Sequence, residues 1–278
     1  MRIVFIRHAE PDYSIDSLTE KGWREAKLLA KRVSRWDVDR FYCSPLGRAK
    51  DTASCTLKLM NREATTYQFL REFDGHVVNP YTGTSYICWD LMPDYWTKND
   101  MMYDRDNWSL DEIMRGGVND INAEHVMVRD GIDGILKEYG YTRHDRYYVT
   151  DEWEGIDSSS IGEANRLAGV IPKRSITDAD KPSAEPTIVI FCHLGVTMVM
   201  LSHLLGISAP ALWHGFFLPP TSVTILNTEE RVKGMAYFRV QVMGDVSHLH
   251  MGGEPISGSG YYVLPMQEYP DNNEIKDI

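Results

Sequence analysis

The chain has 278 residues, 43% hydrophobic and 25% charged, a balance that excludes whole-chain disorder and fibrous repeats and suits one elaborated α/β domain. Its four cysteines, Cys43, Cys55, Cys88 and Cys192, have neither CxxC nor Cys/His ligand spacing, which argues against a disulfide scaffold and a structural zinc site. The net charge of −11 disfavours nucleic acid and anionic membranes as partners, yet residues 1–72 carry 14 basic against 10 acidic side chains, so an anion site is expected in that first quarter.

Arg2-Ile3-Val4-Phe5-Ile6 is a short β-branched apolar run, the pattern of a strand buried on both faces of a mainly parallel sheet, and it ends at Arg7-His8. Met1 leads directly into this run rather than into a signal peptide, and no apolar stretch approaches the ~18–20 residues of a membrane span, so a cytoplasmic protein with no membrane partner is expected. Thr19 can cap a helix over 19–35 whose stripe reads Trp23, Ala26, Leu29, Ala30, Val33. A second strand, Val38 to Cys43, precedes Ser44-Pro45, read as N-cap and N1 of a helix with Leu46, Ala49, Ala53, Leu57 and Met60 on one face. A third strand, Thr65 to Leu70, ends at Arg71-Glu72.

From Phe73 to Val118 the periodicity breaks into Gly, Pro, Asn, Asp and aromatics, the mark of an insertion, with Trp89, Trp96 and Trp108 read as its packing rather than as a substrate stack. A helix is expected over 119–139, then an irregular stretch, 140–186, with a hairpin around Tyr147-Tyr148-Val149. Thr187 to Cys192 is the fourth buried strand and ends at His193; a helix over 195–205 and strands near 222–227 and 235–243 follow. Alternating strands and helices predict a single domain, a three-layer αβα sandwich with a mainly parallel sheet. The insertions 73–118 and 140–186 are expected to cap its active site and 252–278 to form a surface tail.

Ligands of such sheets bind at the carboxyl ends of the strands. Arg7-His8, Ser44 to Arg48, Glu72 and His193 all fall there. Arginine guanidinium forks across two oxygens, which suits phosphate or carboxylate. A histidine beside such cations is pushed toward its neutral, nucleophilic form and can attack phosphorus while the arginines and a second, protonated histidine neutralise the equatorial oxygens. Glu72 is placed to protonate the leaving alkoxide and later activate water. Glu10, Asp74, Glu152 and Glu154 are the rival acids. The HxH pair His248 and His250 has no further ligands nearby in sequence, and Cys43 and Cys192 read as inert strand residues.

Arg7-His8-Ala9-Glu10 resembles the RHG[E] signature of the histidine phosphatase (phosphoglycerate mutase-like) superfamily, with Ala9 for its glycine. Leu18-Thr19-Glu20-Lys21-Gly22 is similar to its LTxxG, Ser44 to Ala53 to its SPLxRAxxTA, Leu70-Arg71-Glu72 to its LxE, and Cys192-His193-Leu194-Gly195 to its SHGG. The resemblance implies His8 as phosphorylated nucleophile, Glu72 as proton donor, and Arg7, Arg48 and His193 as the phosphate pocket. Ser14 stands where mutase-like members often place a phosphate-binding Asn, and its hydroxyl can donate one bond. A metal-independent phosphomonoesterase of the phosphatase branch is expected, acting on a small phosphorylated molecule without cofactor or metal. The Pro11–Ser17 loop is shorter than in typical mutases, which favours hydrolysis over the alternatives, mutase-type phosphoryl transfer and non-catalytic phospho-ligand binding. A homodimer is left open.

Overall fold

Strand β1 (Arg2–Arg7) sends Ile3 and Phe5 to one face of the sheet and Val4 and Ile6 to the other, and all four are buried. The computed structural model describes residues 1–152 and 185–267. Around β1 stand β2 (Arg40–Cys43), β3 (Ala64–Thr66), β4 (Thr142–His144), β5 (Tyr147–Val149), β6 (Thr187–Cys192), β7 (Val223–Val232) and β8 (Met235–Asp245). They form one eight-stranded sheet in the order β3-β2-β6-β1-β7-β8-β5-β4. The β3-β2-β6-β1 half is parallel, and β7 and β5 are the two strands that run against the others. The expected mainly parallel sandwich is therefore present.

One outer layer is α1 (Glu20–Val33) and α2 (Gly47–Met60), whose Leu29, Val33, Ala49 and Ala53 pack with Val4, Ile6 and Phe191. The other holds α3 (Ile121–Lys137) and α4 (Leu194–Leu205), packed with Ile3, Phe5, Ile188 and Ile190. Thr19 caps α1 as its spacing predicts, its hydroxyl oxygen accepting the Gly22 N–H at 3.0 Å. The short helices α5 (Ala209–Gly215) and α6 (Ser247–Gly252) were not expected from periodicity, being too brief to show it. Among the described residues no helix is long and apolar enough to cross a membrane.

One expectation changes. The predicted strand 65–70 stops at Thr66, and Gln68–Leu70 turns as a 3-10 helix that buries Phe69 and Leu70. The described part of the second insertion, 140–152, adds the edge strands β4 and β5; the rest lies outside the described residues, as does Glu154. Residues 252–267, read as part of a surface tail, are mostly exposed and carry ties to the body: Lys21 pairs with Glu254 at 2.9 Å and donates to the Pro255 carbonyl, Ser257 donates to Glu10 at 2.6 Å, and Tyr262 donates to Asp90. Polar and Gly-rich composition marks this segment as lacking regular structure, but says nothing of such tethers.

The first insertion contributes Trp89 and Trp96 to a cavity that Arg7 and Glu72 also line. It carries an antiparallel pair, His76–Val78 with Ser85–Ile87, and is rooted by Trp108, fully buried against Phe73, His125 and Trp213. Trp108 is packing, as expected, whereas Trp89 and Trp96 line a cavity.

Candidate active site

At the carboxyl end of β1, His8 is locked by its own backbone: its N–H donates to the Cys192 carbonyl at 3.0 Å and its carbonyl accepts from Thr221 at 3.1 Å. The His8 side chain is buried, and its Nδ1 lies 2.7 Å from the Ala9 carbonyl oxygen. A carbonyl only accepts, so Nδ1 carries the proton and Nε2 keeps the lone pair. Burial, then the charge of Arg7, push the imidazole well below the ordinary histidine range; the Ala9 carbonyl works the other way, and Arg48 adds to the depression. The ring is thus neutral, with its nucleophilic atom defined.

His193 stands at the N-cap of α4, its ring centroid 5.1 Å from that of His8. Its Nε2 is 2.7 Å from the hydroxyl of Ser44, which also accepts the Leu46 N–H at 3.2 Å. In the tautomer that carries its proton on Nδ1, Nε2 accepts the Ser44 hydroxyl and Nδ1 is the donor left for a ligand. Burial first, then His8, Arg48 and Arg7, hold this histidine well below the ordinary range. The expectation of a protonated second histidine is therefore corrected: in this buried, cationic setting His193 is a neutral donor.

This use of Ser44 corrects a second reading. Helix α2 begins at Gly47 rather than at Pro45, with no side-chain bond from its N-cap Leu46. Asp16 supplies a cap from a separate loop: Oδ2 accepts the Gly47 N–H and Oδ1 pairs with Arg48 Nη1, each at 2.6 Å. Burial opposes ionisation of Asp16, but the bonds from Gly47 and Arg48 outweigh it and hold the carboxyl below its usual range. Gly47 permits the approach, since a Cβ there would lie 2.0 Å from the Asp16 carbonyl oxygen.

Arg7 donates to the Leu218 carbonyl at 2.6 Å and lies 5.2 Å over the Phe217 ring; Arg48 lies 5.4 Å over Tyr13. Each guanidinium is held at one end while its Nε is buried with no hydrogen-bond partner, and His193 Nδ1 is in the same condition. Buried donors left unpaired are costly, and three of them beside one nucleophile form a ready set for the oxygens of a tetrahedral anion.

Glu72 is a half-buried neighbour of this set. Its Oε1 accepts the Phe73 N–H at 2.9 Å and the Val196 N–H at 3.0 Å, the latter from the first turn of α4. Burial raises its carboxyl to about 6 against the lowering pull of those two N–H groups and of Arg7 and Arg48. The rival acids are otherwise engaged or exposed: Glu10 accepts from Thr19 and Ser257, Asp74 pairs with His76 at the surface, and Glu152 is exposed. Ser14 is not brought into the cluster; it is exposed, and its hydroxyl donates to Asp12 at 2.5 Å.

Beside Arg7 and Glu72 opens a cavity of about 790 Å³ walled by Trp89, Trp96, Trp213 and Tyr262 among others. Trp89 packs so closely on Gly195 that a Cβ there would fall 1.8 Å from its ring, and Trp213 Nε1 donates to the Gly195 carbonyl at 3.1 Å. The first insertion is thereby fixed to the helix start that also holds Glu72. Sequence reading missed Ser44 as a partner of His193, Asp16 as a partner of Arg48, and the contribution of Phe217 and the 257–262 segment. Only Ser44 had a local signal, and it pointed to a helix cap. His248 is buried beside Arg32, away from these groups, and among the described residues no three His, Cys, Asp or Glu side chains gather as a metal site.

Residues 3–96 match the family described as the histidine phosphatase superfamily (branch 1). A 2,3-bisphosphoglycerate-dependent phosphoglycerate mutase of Thermoplasma acidophilum is 33% identical over 98 residues, 30% of this chain and 49% of that protein. Phosphoserine phosphatase 1 of Hydrogenobacter thermophilus is 32% identical over 83 residues, 27% of this chain and 39% of that protein. The matched part of the chain thus spans half or less of these curated relatives. The native structure of a mycobacterial glucosyl-3-phosphoglycerate phosphatase aligns over 87% of this chain and 98% of its own with a TM-score of 0.51 at 18% identity, a likeness of fold.

Proposed function

We propose that the chain, whose residues 3–96 match the histidine phosphatase superfamily, is a phosphomonoesterase of that superfamily working through a phosphohistidine on His8. The observation that carries the reading is the trio of unpaired buried donors, Arg7 Nε, Arg48 Nε and His193 Nδ1, gathered beside a neutral imidazole.

In the first step the His8 Nε2 lone pair forms a bond to phosphorus as the bond from phosphorus to the alcohol oxygen breaks. The donors take up the charge on the three remaining oxygens. Glu72, raised to about 6, gives its proton to the departing oxygen, so a neutral alcohol leaves. In the second step the Glu72 carboxylate takes a proton from water, the water oxygen bonds to phosphorus, the N–P bond breaks, and inorganic phosphate leaves with His8 restored. The residues of this cycle require no metal or cofactor, and the proposal includes resistance to chelators, a small-molecule substrate and a cytoplasmic setting.

The name of the Thermoplasma relative raises mutase-type transfer as a second reading. Steady-state phosphate release from 4-nitrophenyl phosphate and a panel of phosphorylated metabolites decides between them, with His8→Ala as control and a parallel assay with chelator. Phosphate release that needs His8, with protein quenched in alkaline detergent carrying an acid-labile, base-stable phosphoryl group, supports hydrolysis. Isomerisation of phosphoglycerate with little net release supports the mutase, and binding of phosphate without turnover supports a non-catalytic module.

A further inference from the structure

We infer that the alcohol portion of the substrate is an apolar group bearing a ring and carrying no second anion; this rests on the phosphatase reading above. The cavity beside Arg7 and Glu72 is large for a phosphoryl group alone, about 790 Å³, and its wall is built from ring faces of three separate stretches of chain. Trp89 and Trp96 come from the first insertion, Trp213 and Phe217 from α5 and the loop after it, and Tyr262 from the C-terminal segment.

These rings are held, not loose. Trp89 meets Trp213 edge-on at 6.2 Å, Trp96 stacks on His214 at 4.5 Å, and Phe217 lies 3.9 Å from Tyr261 while carrying Arg7 on its face. A preformed aromatic wall rewards a planar or apolar group and costs little ordering on binding.

Charge in the same wall points the same way. Arg7 is the one arginine or lysine among the described residues lining the cavity, and its Nε is committed to the phosphoryl site in the reading above. His214 is kept neutral by burial, which outweighs its contact with the Pro210 carbonyl. Asp90 lines the cavity and is held there by the Tyr262 hydroxyl. A carboxylate or second phosphate on the substrate would face Asp90 and be disfavoured, whereas a neutral ring would lose nothing by it.

The test uses four esters of primary alcohols, so that the leaving oxygen is alike in all: 2-phenylethyl phosphate, glycerol 3-phosphate, 3-phosphoglycerate and phosphoserine. The expected order of kcat/KM places phenylethyl phosphate about tenfold above glycerol 3-phosphate, the worth of burying one ring in part, and the two anionic substrates below both. Trp96→Ala is expected to collapse the phenylethyl-to-glycerol ratio, and Trp96→Phe to restore most of it. Asp90→Asn is expected to raise 3-phosphoglycerate about threefold relative to glycerol 3-phosphate. Preference of the wild type for either anionic substrate, or a ratio indifferent to Trp96→Ala in protein that melts normally, overturns the inference while leaving the phosphatase reading intact. Failure to release phosphate from all four esters and from 4-nitrophenyl phosphate overturns both.

Discussion

The inner cluster and the cavity wall are built by different rules. His8, Arg7, Arg48 and His193 sit at strand ends or helix starts and Glu72 just after a 3-10 turn, and each has a polar partner: Ala9 for His8, Leu218 for Arg7, Asp16 for Arg48, Ser44 for His193, two N–H groups for Glu72. The wall is made of side chains, Trp89, Trp96, Trp213, Phe217 and Tyr262, brought from segments far apart in the chain and fixed by ring contacts. Chemistry that must be exact in position is written into the sheet's edge. In the proposed reading, selection of the alcohol is left to packing, which can change without moving His8.

If that division holds, changes in the inner cluster should act on every substrate alike. The largest effect is expected from His8→Ala, a loss of about 10³-fold or more in kcat for all phosphate esters, because the attacking nitrogen is removed while the arginines and Glu72 stay in place. Rate retained within tenfold on any ester would place the nucleophile elsewhere.

Glu72→Gln is expected to lower kcat by about 10²-fold for alkyl phosphates, and by less for 4-nitrophenyl phosphate, whose leaving group needs no proton. The same variant has a stability signature. Glu72 titrates at about 6 in the fold against an ordinary 4.5, so between those pH values the folded state binds the extra proton. Stability then falls as pH rises through this window, by about 2 kcal/mol once it is passed. Thermal melts should find Glu72→Gln more stable than the parent at pH 8 and level with it near pH 4; a parent that gains stability across that window would contradict the burial argument.

The contrast between the two regions also explains what was legible in sequence. The strand run Arg2–Ile6, the helix stripe after Thr19 and the buried run ending at His193 report themselves, because burial on both faces or one imposes a local period. The cluster was legible because its members sit directly after those runs. Ser44 was half legible, as a polar residue before Pro45, but its partner lies 149 residues away, so its bond to His193 left no local trace. Asp16 was silent for the same reason, and Ser14, two residues before it, was the loop residue chosen instead. The ties of the C-terminal segment, Glu254 to Lys21 and Arg24, Ser257 to Glu10 and Tyr262 to Asp90, left no local trace because each spans more than 170 residues.

Ser44→Ala sharpens the division further, since Ser44 touches no part of the wall. Without its hydroxyl the His193 ring loses its hydrogen-bond partner at Nε2, and a buried nitrogen is left unpaired. A fall of about tenfold in kcat/KM, equal across the phenylethyl and glycerol esters, is expected, together with weaker inhibition by inorganic phosphate. A loss confined to one substrate would mean that the inner cluster also reads the alcohol.

The smallest effect is expected at Asp16, which lies behind Arg48 rather than against the substrate. Asn is the informative replacement: it tolerates the positive φ of 48° at this position, and its amide oxygen can still accept the Gly47 N–H. What it removes is the charge facing Arg48 Nη1, in a pair whose carboxylate side is 43% exposed and therefore screened. Asp16→Asn should cost less than about 1 kcal/mol in stability and lower kcat/KM about threefold, through looser placement of Arg48 rather than loss of its charge. Because Arg48 contacts the phosphoryl group in the proposed mechanism, the reduction should again be the same for every alcohol and should deepen little with added salt. A substrate-dependent change at Asp16 would show that the Tyr13 side of the loop, which carries Arg48 on its ring at 5.4 Å and also lines the cavity, couples the two regions that the fold otherwise keeps apart.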